Sequence, residues 1–155
     1  ELGMLEATRE AGVTLVAFSP VARGFLANSV GEPEDLAPED IRRAMPRFQP
    51  DNWPANAALL PAWRALAAEA GCTPAQLALT WLLSRGEHVV PIPGTTNAAH
   101  LRENQGALAV PVDPALLARA GDLIDTHTVS GPRYNATGTR EVDAEVFDQA
   151  VPIPR

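Results

Sequence analysis

The sequence predicts an α/β fold with parallel strand pairing but with too few strands to close a sheet. Two short apolar runs, 13–18 (VTLVAF) and 88–92 (HVVPI), read as strands, and segments of helical periodicity stand before, between and after them. Strands joined through helical crossovers pair in parallel and build layered α/β architectures. Two parallel strands leave two raw edges, which a self-sufficient domain does not carry. The expected object is a slice of a larger sheet.

The elements follow in order. Met4, Ala7 and Ala11 recur at helical spacing in 2–11, with Leu2 and Leu5 off that stripe and Gly12 suited to end the helix. Val13–Phe18 is apolar on both faces, the pattern of a buried strand, and Ser19-Pro20 breaks it. Residues 21–56 hold five prolines and two polar, acidic stretches, and a loop of that length inside a compact protein is usually functional. Leu59, Leu60, Trp63, Leu66, Ala67 and Ala70 form one apolar stripe ending at Gly71. Thr73-Pro74-Ala75-Gln76 is a capping box with proline at the first helical position, opening a helix that stops at Gly86. After the second strand, Pro93-Gly94-Thr95-Thr96-Asn97 leads into a polar helix to about Leu108. Asp113-Pro114 starts one more amphipathic helix, and the tail 126–155 predicts no regular structure.

Composition narrows the function. All 12 basic side chains are arginine against 19 carboxylates, a net charge of −7 with no lysine, so no lysine-dependent mechanism is completed by this chain alone. The acidic balance argues against nucleic-acid and anionic-membrane partners, and no apolar run reaches membrane-spanning length. No signal peptide opens the chain, and a single cysteine, Cys72, fits a reducing compartment, so a cytoplasmic setting is expected. His88, His100 and His127 lack metal-ligand spacing, and no P-loop, G-x-S-x-G or G-x-G-x-x-G occurs. No metal site is expected.

Two places are suited to a ligand, and both follow strands. Phe18, Ser19 and Pro20, with Arg23 and Gly24 beyond, stand at a carboxyl end, where parallel α/β folds bind ligands. The turn Pro93–Asn97 combines a glycine, two threonine hydroxyls and an amide with the free N–H groups of a helix start, a suitable seat for phosphate. Glu103 and Asn104 lie one to two turns along that helix. Taken singly, each turn is more readily structural, a strand end and an ordinary helix cap.

The series FSPVARG (18–24), PRF (46–48) with Asn52 and Asn56, AGCTPAQLALTWLL (70–83), IPGTTNAAHLREN (92–104) and GPRY (131–134) resembles, in order, the C-terminal portion of the aldo-keto reductases. The resemblance implies part of a (β/α)₈ TIM barrel over 1–125, with 13–18 as strand seven, 88–92 as strand eight, 21–56 as a long cofactor-covering loop and 126–155 as a tail. It implies hydride transfer between NADP(H) and a carbonyl, with Phe18 stacking on the nicotinamide. Ser19, Pro20, Val21 and Arg23 would line the pyrophosphate side, and Pro93, Gly94, Thr95, Thr96, Asn97, His100, Glu103 and Asn104 the adenosine-phosphate side. The family often holds the 2′-phosphate with Lys or Arg at the positions of Thr96, Asn97 or His100, so NAD is a second expected cofactor. The family's catalytic Tyr, Lys, Asp and His come from the first half of the barrel, and no catalytic residue is assigned in this chain. The expectation is a fragment of a reductase, inactive alone and completed by an upstream segment or a separate chain; the alternative is a non-catalytic nucleotide-binding or protein-interaction module.

Overall fold

A computed structural model describes residues 3–111 and 113–141. In chain order the elements are α1 (Met4–Glu10), β1 (Leu15–Phe18), α2 (Trp53–Ala57), α3 (Leu60–Glu69), α4 (Pro74–Leu83), β2 (Val89–Ile92), α5 (Ala98–Gly106), α6 (Pro114–Leu123) and α7 (Ala136–Glu141). The strands pair in parallel, with Leu15 opposite Val89 and Phe18 opposite Ile92. These two make up the whole sheet among the described residues. None of the described helices is long and apolar enough to cross a membrane.

Neither strand is buried on both faces, which corrects the sequence expectation. Leu15, Ala17 and the buried Val89 face the helices, while Val16, Phe18, Val90 and Ile92 are about half exposed on the other side. One helical layer covers one face, and the described residues supply no helix or strand for the second. The expected stripe of α1 is corrected too. Met4, Ala7 and Ala11 point outward, and Leu5 and Thr8 are the partly covered residues. The carbonyl oxygen of Leu5 lies 3.1 Å from His88 Nε2, which ties that side to the start of β2.

The core lies between α3, α4 and α6, and the 21–56 segment contributes to it directly. Phe25, Leu26, Phe48 and Trp53 pack with Trp63, Leu66, Leu77, Leu116 and Leu117. Trp53 sits edge-on to Phe25 and stacks on Phe48, while Trp63 Nε1 donates to the Leu26 carbonyl at 3.0 Å. Such aromatic pairs add about 0.5–1.5 kcal/mol beyond the area they bury. The segment is therefore not an open loop. It runs through short 3₁₀ turns at Ala22–Gly24, Pro33–Asp35, Ile41–Ala44 and Pro46–Phe48 before entering α2.

Local signals act where their chemistry requires. Thr73 Oγ1 accepts from Gln76 N at 3.2 Å and Gln76 Oε1 accepts from Thr73 N at 3.1 Å, completing the capping box of α4. Asp40 accepts from both the side chain and the backbone N–H of Arg42, which holds its carboxyl down at about 2. The tail from 126 was expected to lack regular structure. Asp125 Oδ1 caps a turn by accepting from the N–H groups of His127 and Thr128, and α7 follows; residues 142–155 lie outside the described part.

Candidate functional site

The first wall of the site is the turn that leaves β1. Ser19, Ala22 and Arg23 all have positive φ, at 51°, 49° and 57°. Non-glycine residues enter that region at a cost, and clusters of them mark functional turns. Gly24 follows at φ +92°, and a Cβ there would stand 2.5 Å from Ser29 Oγ. That hydroxyl donates to the Gly24 carbonyl at 3.1 Å, so the glycine and the serine define one tight corner.

The second wall is the turn that leaves β2. Thr95 Oγ1 accepts from Asn97 N at 3.0 Å, and Asn97 Oδ1 accepts from Ala99 N at 2.8 Å, capping α5. A Cβ built on Gly94 meets no protein atom within 4 Å, so the main chain there is open to close approach. Gln76 Nε2 donates to the Glu103 carbonyl at 3.0 Å and fixes α5 against the first turn of α4.

Parallel, in-register pairing starts both turns side by side, because Phe18 is opposite Ile92. Between them lies a cleft of about 340 Å³. Ser19, Pro20, Val21 and Arg23 line it from one turn, Gly94 and Thr95 from the other, and His100, Glu103 and Asn104 from α5. Nine of the thirteen residues singled out from sequence thus share one space. Phe18, Pro93, Thr96 and Asn97 do not line it. Gly24, Ala27, Ser29, Ala75 and Ile92 also line it, and only Gly24 had been marked by the local pattern.

Phe18 instead borders a second cavity of about 280 Å³, reaching inward between the end of β1 and the helices. Its walls are largely apolar, with Phe25, Phe48, Trp63, Trp81 and Ile124, and Arg23, Arg47 and Arg133 also line it. The Arg133 guanidinium lies 4.3 Å from the Phe18 ring centroid and 5.5 Å from that of Tyr134, and Arg23 lies 5.7 Å from the same tyrosine. Arg47 is half-buried, and its Nε donates to the Gly131 carbonyl at 3.2 Å. Burial lowers its pKa, and the charges of Arg133 and Arg23 lower it further. Sequence reasoning singled out Arg23 for the first turn but not the group, because Arg47 and Arg133 lie on distant segments and nothing local links them to it. Among the described residues no group of His, Cys, Asp and Glu is arranged to hold a metal.

The Aldo/keto reductase family model matches residues 1–124. The chain is 35% identical over 155 residues to the NADP(+) aldo-keto reductase yakc of Schizosaccharomyces pombe, covering all of this chain and 44% of that protein. It is 32% identical over 149 residues to the aldo-keto reductase str7 of Strobilurus tenacellus, covering 96% of the chain and again 44% of the relative. The chain thus spans less than half the length of these curated relatives. Its fold matches 39% of the glycerol dehydrogenase of Gluconobacter oxydans over 83% of this chain, with a TM-score of 0.72 at 19% identity. A thermostable aldo-keto reductase crystallised with the inhibitor epalrestat matches with a TM-score of 0.51 at 28% identity, over 79% of this chain and 34% of its own. These neighbours are TIM barrels, matched in part.

Proposed function

The chain belongs to the aldo/keto reductase family, and on that basis we propose that its strand-end cleft is the cofactor seat of an NADP-dependent carbonyl reductase. The single observation that carries the reading is the convergence of the two strand-end turns and α5 on one cleft. In this reading β1 and β2 are barrel strands seven and eight. Phosphate sites of such barrels cluster after those two strands.

The residues present fit a dinucleotide. Gly94 leaves open the space that a Cβ would fill, so a phosphate can approach the main chain. Arg23 supplies a guanidinium on the pyrophosphate side, while Thr95, His100, Glu103 and Asn104 offer polar groups to the adenosine. Thr96 and Asn97 shape the second turn from outside the cleft, with Asn97 as the helix cap. The bound cofactor supplies the hydride for carbonyl reduction. With no Lys or Arg at Thr96, Asn97 or His100, NAD(H) is the competing cofactor, and direct titration of both decides between them.

The chain has no lysine, so the Tyr–Lys pair of the family's proton transfer cannot be completed from it. We therefore place the catalytic groups outside these residues, on an upstream segment or a separate chain, in a cytoplasmic setting. Residues 1–125 are then the barrel portion and 126–155 a tail. The uncovered sheet face of Val16, Phe18, Val90 and Ile92 supports completion by further strands. It equally favours the second reading, a non-catalytic nucleotide-binding or interaction module built on the same cleft.

Titration of the chain with NADPH and NADH, followed by calorimetry and by emission of Trp53, Trp63 and Trp81, tests the seat. Saturable binding is expected, and the absence of any heat, emission change or thermal shift overturns it. Incubation with NADPH and 4-nitrobenzaldehyde tests the rest: no NADPH oxidation is expected from this chain alone, and turnover refutes the placement of the catalytic groups elsewhere.

A further inference from the structure

The peptide that joins Arg23 to Gly24 links two residues at positive φ, in the turn that forms one wall of the strand-end cleft. A conformation of that kind persists only where the surroundings fix it. Both polar ends of this peptide are held: Gly24 N donates to the Val21 carbonyl at 3.1 Å, and the Arg23 carbonyl accepts from Arg42 Nη1, also at 3.1 Å, across 19 residues of chain. The other edge of the Arg42 guanidinium lies on Asp40, with Nε 2.9 Å from Oδ1 and Nη2 2.6 Å from Oδ2. A planar fork held along one edge aims its remaining nitrogen in a fixed direction, which the single ammonium of a lysine does not. Gly24 admits this approach, since a Cβ there would stand 3.4 Å from Arg42 Nη1. Arg23 Nη1 in turn donates to Met45 Sδ, so the segment from Asp40 to Met45 grips both the main chain and the side chain of Arg23. Met45 packs against the hydrophobic core and Phe48 belongs to it, which anchors the grip.

We propose that Arg42, held by Asp40, is a positioning residue of the cofactor seat: it locks the Arg23–Gly24 peptide, and dinucleotide affinity depends on that lock. The inference rests on the reading of the strand-end cleft as the cofactor seat. Arg42 does not line the cleft, so it acts through Arg23 and Gly24, which do. Asp40 cancels its charge, so the pair offers an anionic cofactor a fixed turn and little net attraction. A turn ordered in advance loses less freedom when a ligand binds, and affinity rises accordingly.

The test uses the 155-residue chain, NADPH titration by calorimetry, and hydrogen exchange at the Gly24 amide. The double variant Asp40→Asn/Arg42→Gln removes the lock at constant net charge. It is expected to weaken NADPH at least tenfold and to speed Gly24 exchange at least tenfold. Arg42→Lys, which keeps a cation beside Asp40, is expected to fall between the parent and the double variant, and it carries the test should the double variant fail to fold in thermal melts. Arg119→Gln breaks the ion pair with Glu69, away from the cleft, and is expected to leave NADPH affinity and Gly24 exchange at parent values. Parent-like Gly24 exchange in the double variant overturns the proposal. So does an equal loss of affinity in Arg119→Gln, which marks general destabilisation. Accelerated exchange with undiminished NADPH binding also overturns it, and leaves the cofactor seat standing. A parent chain that binds no NADPH removes the cofactor seat instead, and exchange at Gly24 then reads the lock by itself.

Discussion

Asn56 holds the segment that carries Arg133, and its removal has a calculable cost. The side chain is 3% exposed. Its Nδ2 donates to the carbonyls of Arg47 at 2.9 Å and Ser130 at 3.0 Å, and its Oδ1 accepts from Ser130 N at 2.8 Å. Asn56→Ala deletes all three bonds and leaves a backbone N–H and two carbonyls without these partners. At about 1 kcal/mol each, the loss is about 3 kcal/mol. That is a large fraction of the stability of an ordinary domain. For a chain of this size it lowers Tm by about 6–12 °C. Urea titration at fixed pH measures the difference, and amide exchange at Ser130 locates it. The neighbouring Asn52 accepts from Ser130 Oγ at 2.7 Å and donates to the Pro46 carbonyl at 2.9 Å, so Asn52→Ala, which removes two bonds against three, serves as the milder comparison. A loss below about 0.5 kcal/mol for Asn56→Ala refutes the reasoning, on the scale expected of an unexceptional surface substitution. Unchanged protection of the Ser130 amide refutes it as well.

Gly24→Ala places a side chain at φ +92° and against Ser29, and is expected to cost about 1–2 kcal/mol in urea titration; adding Ser29→Ala relieves the contact but not the backbone strain, so the double variant stays destabilised. Thr73→Ala removes the capping box and is expected to cost about 1 kcal/mol, with Thr73→Ser close to the parent in thermal melts. Asp40 titrates at about 2 in the folded chain against an ordinary value of 3.8, so its contribution is present above about pH 4 and is lost as the pH falls toward 2. The stability difference between the parent chain and Asp40→Asn, measured by melts from pH 7 to pH 2, should accordingly shrink across that window.

The signals legible in sequence were those acting over a few residues. Gln76 answers Thr73 three positions away, so the start of α4 was readable, and the strands were found because short apolar runs between glycine and proline have few other uses. The two strand-end turns were readable as candidate ligand turns for the same reason. What brings them together is register, Phe18 against Ile92, which no local pattern encodes. Burial was misjudged where it depends on neighbours. Val16 is as apolar as Val89, yet the helices cover only Val89. The helix α2 escaped notice because Pro54 and two asparagines look like loop, although Pro at the start of a helix is compatible with it. The arginine cluster was beyond reach, since Arg47 meets Gly131 across 84 residues of chain.

Phe25, Phe48 and Trp53 belong to the 21–56 segment and to the hydrophobic core at once. A segment rooted in this way does not swing as a hinged flap, because withdrawing it strips aromatic surface from the interior and melts the packing around Trp63. In the cofactor-seat reading proposed above, ligand entry to the strand-end cleft would fall to the opposite bank, where Thr95, Thr96 and Asn97 are exposed and held by short local bonds. If the cleft holds the proposed cofactor, opening at that bank breaks only local bonds and leaves the core intact, so residence time and conformational stability would be separately adjustable.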